Sequence, residues 1–258
     1  MPTTLFKFSL TTMFLIFSTL AHSALIHDYQ LNNTLADALG GPSLIPITDA
    51  ASTNGTIGPT GFTFNQNSGL QLSNGLSNNA NYSIQLGFSF SDVNGYRRII
   101  DFKDRASDNG LYDLDGQINF FPFTTGTGIF SPGTSVDIVI SRDSVTNDFN
   151  VYAAGINILT FNDIASDAVF SATNNVINFF RDDLAFANEA SAGFVDFIRI
   201  YDTPLTATQV SCLQTQSPLA CGVQDPGPNG IPEPGTLALL SLASLGFAAF
   251  GRRRKPGK

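Results

Sequence analysis

Two segments of this sequence concentrate carboxylate side chains, the groups best suited to bind a hard cation. They are DFKDRASDNGLYDLDG and RDDLAFANEA, and they supply Asp101, Asp104, Asp108, Asp182, Asp183 and Glu189. Calcium needs only oxygen ligands, which carboxylates and backbone carbonyls provide. These acids are therefore a candidate calcium site, but neither segment has the fixed ligand spacing of an EF-hand loop.

The same acids have a second interpretation, as one half of a salt-bridged loop cluster that contains no metal. Four arginines lie in or beside the two segments: Arg97, Arg98, Arg105 and Arg181. The sequence leaves both interpretations open.

Catalytic arrangements lack the residues they need. A retaining glycosidase requires two carboxyl groups about 5 Å apart, but the only glutamates are Glu189 and Glu233, and no strand carries a Glu-x-Asp-x-Glu pattern. Asp113 and Asp115 alternate, in a stretch typical of a polar turn. His27 is the only histidine after the N-terminal leader, which argues against a histidine-dependent triad or a zinc site. We predict that the protein is not an enzyme.

Short strands are the elements that must position these side chains. Alternation is clearest in YSIQLGFSF, where one face would carry Tyr82, Ile84, Leu86, Phe88 and Phe90. Shorter alternating stretches recur at 25–31, 61–64, 69–72, 117–123, 136–141, 176–180 and 194–201.

Turn and cap residues complete the secondary-structure prediction. Asn94-Gly95 predicts a tight turn with 97–102 as the partner strand, and a second hairpin should turn near Gly155. Thr206 is a suitable N-cap for a short helix at 206–213. The pattern predicts an all-β fold, an antiparallel β-sandwich of the jelly-roll kind.

Both ends of the chain differ from this body. Lys7, an apolar stretch at 10–20 and the small residues Ala21 and Ser23 are typical of a signal peptide cut after Ser23. At the other end, Pro232-Glu233-Pro234 precedes an apolar run at 237–250 and a basic block that includes Arg252, Arg253 and Arg254. A helix of this run would span about 21 Å, less than the roughly 30 Å of bilayer hydrocarbon.

The order of these C-terminal pieces resembles the PEP-CTERM sorting signal of Gram-negative bacteria. The resemblance implies transient inner-membrane insertion by a short hydrophobic helix. It also implies processing by an exosortase and delivery to the cell surface or to secreted polysaccharide. A simple tail anchor is the alternative.

Charge and cysteine content fit an exported body. The whole chain has a formal net charge of −8, and six of its 13 basic residues but only one of its 21 acids lie in the two end segments. Because the body is strongly acidic, it repels nucleic acid and anionic lipid, and we expect no nucleic-acid partner. Cys212 and Cys221 would form a disulfide in an oxidising compartment, or remain unrelated thiols.

Three parts of the body are similar to the laminin-G-like, concanavalin A-like sandwich. They are His27-Asp28-Tyr29 with Asp37 and Gly40, the stretch 135–143 followed by NVYAAG at 150–155, and above all GFVDFIRIYDTPLTATQV at 193–210. Members of this fold act as glucanases, lectins or spacers, and laminin-G-like domains often carry calcium at the rim of the sandwich.

The resulting organisation is a signal peptide at 1–23, a laminin-G-like sandwich at 24–214, a Pro/Gly-rich linker at 215–230 and a sorting tail at 231–258. We predict a non-catalytic surface or extracellular-matrix protein that binds a glycan or another protein. A glycan-active hydrolase or lyase and a purely structural matrix component remain as alternatives.

The sorting hypothesis is tested by replacing Pro232-Glu233-Pro234 with three alanines. We expect the altered chain to remain unprocessed in the membrane, because an enzyme that recognises the motif would no longer cut it. Fractionation and intact mass would follow the tail, and unchanged processing and release would contradict the hypothesis.

Overall fold

The chain folds into two packed antiparallel sheets. The computed structural model describes residues 23–50, 52–171, 173, 175–186 and 188–224. In chain order the strands are β1 (Leu25–Tyr29), β2 (Ile45–Thr48), β3 (Thr56–Gly58), β4 (Gly61–Phe64), β5 (Ser68–Leu72), β6 (Tyr82–Phe90), β7 (Tyr96–Asp101), β8 (Gly110–Leu114), β9 (Gln117–Phe121), β10 (Thr124–Gly128), β11 (Val136–Arg142), β12 (Asp148–Ala153), β13 (Ile156–Asn162), β14 (Ile177–Phe179) and β15 (Gly193–Tyr201). One α-helix, α1 (Ala207–Leu213), and a 3-10 turn at Leu219–Cys221 follow.

Strand β15 organises the first sheet, whose order is β13-β12-β11-β6-β15-β4-β3. Along one side β15 pairs with β6, and along the other it pairs with β4 in its first half and with β1 in its second half. The second sheet has the order β10-β9-β8-β7-β14-β5-β2. The predicted antiparallel β-sandwich is confirmed.

An aromatic core fills the space between the sheets. The face predicted for β6 is confirmed, because its five alternating apolar side chains are all buried there. The ring of Phe88 lies 5.2 Å from the ring centres of both Phe90 and Phe180, and Phe64 stacks on Phe180 at 4.4 Å. Such pairs add to the stability that burial of the rings provides.

A second, smaller cluster covers the other face of the first sheet. Val210 and Leu213 of α1 are buried there against Tyr201. The helix begins where its sequence predicts, since the side chain of Thr206 accepts from Gln209 N and the reciprocal bond of a capping box is present. The structure joins Cys212 and Cys221 in a disulfide.

The folded body extends beyond the linker boundary expected at 214. Val223 is buried, and the backbone N of Gln224 donates to Ser23 O at 2.9 Å. Residues 215–224 therefore belong to the sandwich, because their apolar and backbone groups find partners on it.

The prediction that a turn at Asn94-Gly95 joins two paired strands is wrong. Gly95 does adopt the left-handed backbone of a turn, with φ of 70°. Strand β6, however, pairs with β11 and β15, whereas β7 pairs with β8 and β14 in the other sheet. The turn residues set a local reversal, but long-range pairing decides which strands become neighbours.

The expected leader, the remainder of the linker and the sorting tail lie outside the described residues, apart from Ser23. So do the expected hydrophobic helix and the motif residues Pro232, Glu233, Pro234, Arg252, Arg253 and Arg254. In the part of the chain that is described, neither helix has the length and apolarity needed to cross a bilayer.

The core is tested by the substitution Phe88→Ala. We expect the free energy of unfolding to fall by about 3–5 kcal/mol, because the change leaves a cavity among three other phenylalanine rings. Urea denaturation measures the loss. Val145→Ala is the matched control, since Val145 is 86% exposed and its truncation should cost little. Equal effects of the two changes would contradict this account of the core.

Candidate functional site

The face of the second sheet that points away from the core carries a row of buried polar side chains. In β7 and β8, Ile100 and Leu111 point into the core, so their neighbours Asp101 and Tyr112 point to the other side. Arg98 lies opposite Tyr112 in the register of these strands. All three polar side chains are fully buried, so the part of this face formed by β7 and β8 is covered rather than open to a ligand.

Arg98 is the centre of the row, and four carboxylates surround its guanidinium group. Asp183 bonds directly to Nη2. The other distances are 3.6 Å from Nη2 to Asp108 Oδ1, 4.0 Å from Nη2 to Glu189 Oε2 and 3.7 Å from Nη1 to Asp101 Oδ2. We call these five residues, together with Tyr112 and Asp182, the Arg98 cluster.

The aromatic ring of Tyr112 packs against the guanidinium group of Arg98. Its ring centre lies 4.2 Å from Arg98 Cζ, which is a cation–π contact. The Tyr112 hydroxyl donates to the carbonyl of Asp108 at 2.7 Å and is 2.9 Å from its Oδ1. Burial raises the pKa of Tyr112 above its ordinary value, so the hydroxyl keeps its proton and remains a donor.

The loop before β15 brings three of the acids to this face. Asp183 Oδ1 accepts from the backbone N atoms of Ala185 and Phe186, at 2.5 and 2.9 Å, and Asp182 Oδ2 accepts from Glu189 N at 2.9 Å. These bonds fix the base of the loop. Its tip is left in solvent, with Phe186 61% exposed.

The cluster contains more acids than one guanidinium group can balance. Burial raises the pKa of Glu189 to about 7, and the neighbouring Asp108 carboxylate adds to the effect. Burial also raises the pKa of Asp101 and of Asp182, against the opposing influence of Arg98. Proton uptake by Glu189 near neutral pH therefore lowers the negative charge around Arg98.

The expected calcium ligands come together in part. Oxygen atoms of Asp108, Asp183 and Glu189 lie within 4.8 Å of one another, close enough to share a cation. Asp101 and Asp182 lie in the cluster but outside this group of three, and Asp104 is exposed.

Calcium does not fit this group while Arg98 is in place. Nη2 of Arg98 is within 4.0 Å of an oxygen of each of the three acids, so the guanidinium group occupies the position between them. Asp108, Asp183 and Glu189 therefore fit the salt-bridge interpretation, with Arg98 as their partner. Arg105 and Arg181 instead pair with Asp49.

The remaining arginine of the four also has its partner elsewhere. Arg97 pairs with Asp92 at 2.5 Å. Of the four arginines, Arg98 is thus the one whose side chain pairs with the carboxylates of the cluster, and Arg105 Nε donates to the carbonyl O of Asp182 at 2.6 Å.

The remaining candidate catalytic groups have structural partners. Burial raises the pKa of Asp113 to about 7, but its Oδ1 accepts from Gly116 N at 2.7 Å and closes the β8–β9 turn. His27 Nδ1 lies 2.6 Å from Asp37 Oδ2, and its Nε2 lies 2.7 Å from the carbonyl O of Gly75. Both imidazole nitrogens therefore tie β1 to nearby loops.

An open cleft of about 420 Å³ lies between the β2–β3 loop and the β4–β5 turn. Its lining has no charged side chain and consists of Ala50, Ser52, Thr53, Asn65, Gln66 and Asn67. The walls are joined, since Asn65 Nδ2 donates to Thr53 Oγ1 at 2.8 Å and Ser52 Oγ donates to Gln66 O at 2.5 Å. Asn67 Oδ1 is buried and has no hydrogen-bond partner.

We call this site the polar cleft. The sequence alone does not reveal it, because FNQNSG has the composition of any polar turn and its partner loop lies 12 or more residues earlier in the chain. An uncharged cleft with amide and hydroxyl groups suits a neutral polyhydroxylated ligand, which donates and accepts hydrogen bonds without charge.

Comparison with known proteins gives one family match. Residues 230–255 match the PEP-CTERM protein-sorting motif. Among curated protein sequences, none matches this chain significantly.

Solved structures share the fold of the body. Domain 4 of AbnA, a GH43 extracellular arabinanase from Geobacillus stearothermophilus solved in complex with arabinotriose, matches 75% of this chain and 100% of its own, with 20% identity and a TM-score of 0.58. Trypanosoma rangeli sialidase in complex with 2,3-difluorosialic acid matches 74% of this chain with 14% identity and a TM-score of 0.56. A mutant of that sialidase displaying trans-sialidase activity matches 78% with 13% identity and a TM-score of 0.58. The match spans about a third of each sialidase chain.

The role of Arg98 is tested by Arg98→Met, which keeps an unbranched chain and removes the charge. We expect a loss of about 3–5 kcal/mol in unfolding free energy, because buried carboxylates lose their partner. Millimolar calcium should restore part of the thermal midpoint of this variant and leave the wild type unchanged.

Arg97→Met is the matched control, because Arg97 pairs outside the cluster, and its midpoint should not respond to calcium. A wild-type midpoint that falls on chelation would show that calcium binds with Arg98 in place, against this account.

Proposed function

We propose, from the premise that this chain is a concanavalin A-like sandwich carrying a PEP-CTERM protein-sorting motif, that it is an exported, non-catalytic glycan-binding protein of the Gram-negative cell envelope. Its polar cleft would contact a neutral oligosaccharide. An exosortase would process the tail and pass the body to the cell surface or the extracellular matrix.

Two features support export. The sorting motif at 230–255 is the sequence element that such processing requires. The disulfide between Cys212 and Cys221 is typical of proteins that fold in an oxidising compartment such as the periplasm. The bridge lies just before the segment that leads to the tail, so it also fastens the end of the folded body.

The observation that carries glycan binding is the match to an entire carbohydrate-complexed domain. Domain 4 of AbnA was solved with arabinotriose and aligns over 100% of its length. The chemistry of the polar cleft supports the same proposal, because its uncharged amide and hydroxyl side chains can exchange hydrogen bonds with sugar hydroxyl groups.

The geometry of the acids supports a non-catalytic role. Asp108 and Glu189 approach within 4.8 Å, close to the separation of about 5–5.5 Å between the carboxyl groups of retaining glycosidases. A fully buried guanidinium group, however, lies between them and the loops cover the sheet face. A substrate would have to displace that ion pair to reach both acids.

Titration of the purified protein with arabinotriose tests the proposal. We expect calorimetry to show saturable heat of binding. Binding to Gln66→Ala should be about tenfold weaker, because the loss of one hydrogen bond worth about 1.4 kcal/mol lowers affinity by that factor. Gln216→Ala is the matched control, because Gln216 is an exposed glutamine near the disulfide.

Assays on a panel of neutral and charged glycans separate the alternatives. New reducing ends, lost in Glu189→Gln, would favour a hydrolase, and new unsaturated ends a lyase. The absence of binding across the panel would favour a structural matrix component or a protein ligand.

A further inference from the structure

The first residue after the expected signal-peptide cut is held by the end of the central strand. The backbone N of Ala24 donates to Asp202 Oδ1 at 2.8 Å, and the backbone N of Asp202 donates to Ala24 O at 3.1 Å. Asp202 directly follows β15. We infer that the chain is cut between Ser23 and Ala24 and that Asp202 binds the α-ammonium group created there.

Hydrolysis changes what Asp202 binds. Water adds to the carbonyl carbon of Ser23, the C–N bond to Ala24 breaks, and the new carboxylic acid gives its proton to the released amine. The amine has an ordinary pKa of about 7.7–8.0 and is therefore an ammonium group in a neutral periplasm. An amide hydrogen bond to Asp202 becomes an ion pair, which is a stronger, charge-assisted bond.

Both the sequence and the fold favour this bond as the one cut. Ala21 and Ser23 are small residues at the positions that signal peptidase selects. Strand β1 starts immediately afterwards, with Leu25 opposite Tyr201. In the folded chain Ser23 is 3% exposed, so the cut has to precede the docking of β1.

The body remains closed after the cut. Loss of Ser23 removes its bonds with Gln224 N and with Thr203 O. Leu25 N still donates to Gln224 O at 3.0 Å, so β1 stays joined to the segment that leads into the sorting tail. The ammonium–Asp202 pair replaces the covalent restraint of the leader.

The first residue of the mature chain lies next to the segment that leads to the sorting tail. Ala24 and Gln224 form a parallel bridge, so the mature N-terminus lies beside the last described residue of the body. Because the cut precedes the docking of β1, the body closes with its new N-terminus beside the segment that leads to the tail. The N-terminus of the folded body is then charged and held by Asp202.

No other acid contacts the Ala24 nitrogen in the described part of the chain. Further along β1, His27 is bonded to Asp37, and Asp28 pairs with Arg199 of β15 at 3.2 Å. The pH dependence of this end above neutrality is therefore set by the α-ammonium group.

The test uses the full chain exported from its own leader in a Gram-negative host, with Asp202→Asn beside it. The intact mass should correspond to a chain beginning at Ala24. Below pH 7 the wild type should unfold about 3 °C higher than Asp202→Asn. Pairing with Asp202 raises the pKa of the amine in the folded protein. The extra stability from the pair is therefore present below the ordinary pKa of the amine and is lost as the pH rises through its pKa in the folded state. The two midpoints should converge above about pH 9.

Two controls isolate the ammonium group. An alanine inserted between Ser23 and Ala24 moves the charge one residue away, and should abolish the pH-dependent difference. Asp28→Asn changes the ion pair with Arg199, and should give a difference that is constant over the same pH range.

The outcomes separate this inference from export itself. The inference is overturned if the mature chain begins at another residue, or if the difference between the two unfolding midpoints does not change with pH. Neither result contradicts export. A chain that keeps its leader also overturns the inference, and a body found in the cytoplasm contradicts export as well. None of these readouts depends on glycan binding.

Discussion

A guanidinium group with no exposure to water holds the covering loops to the second sheet. Burying a charge costs several kcal/mol unless it is paired and hydrogen-bonded. Arg98 is paired with acids from three separate segments: Asp101 from its own strand, Asp108 from the next turn, and Asp183 from the loop before β15. It donates hydrogen bonds to Asp183 and to the carbonyl of Asn109. The conformation of those loops therefore depends on charge pairing, whereas the sheets beneath them depend on aromatic burial.

This constraint decides where a ligand has room. The Arg98 cluster fills the outer face of the second sheet over β7 and β8, so a ligand would reach that part of the face only by breaking the buried ion pair. The polar cleft lies instead between two loops whose walls are joined by hydrogen bonds of uncharged groups. Its lining is already in place, which lowers the entropy cost of binding.

Much of the fold follows from the sequence because its signals are local. The alternation of Tyr82 to Phe90 predicts one buried face, and Thr206 marks the start of the helix. The turn at Asn94-Gly95 shows the limit of such signals. Its residues predict a reversal, which occurs, but β6 and β7 then enter different sheets because each finds its partners far away in the chain.

The sequence by itself determined the sorting motif at 230–255 and the all-β class, because both are read from the order of residue types along the chain. It also showed that Asp108, Asp183 and Glu189 were candidates for one site. Only the tertiary structure decided that Arg98 lies among them, and that Ala24 meets both Asp202 and Gln224. The physical reason is that electrostatic and hydrogen-bond energies depend on distances between residues far apart in the chain, and folding alone sets those distances.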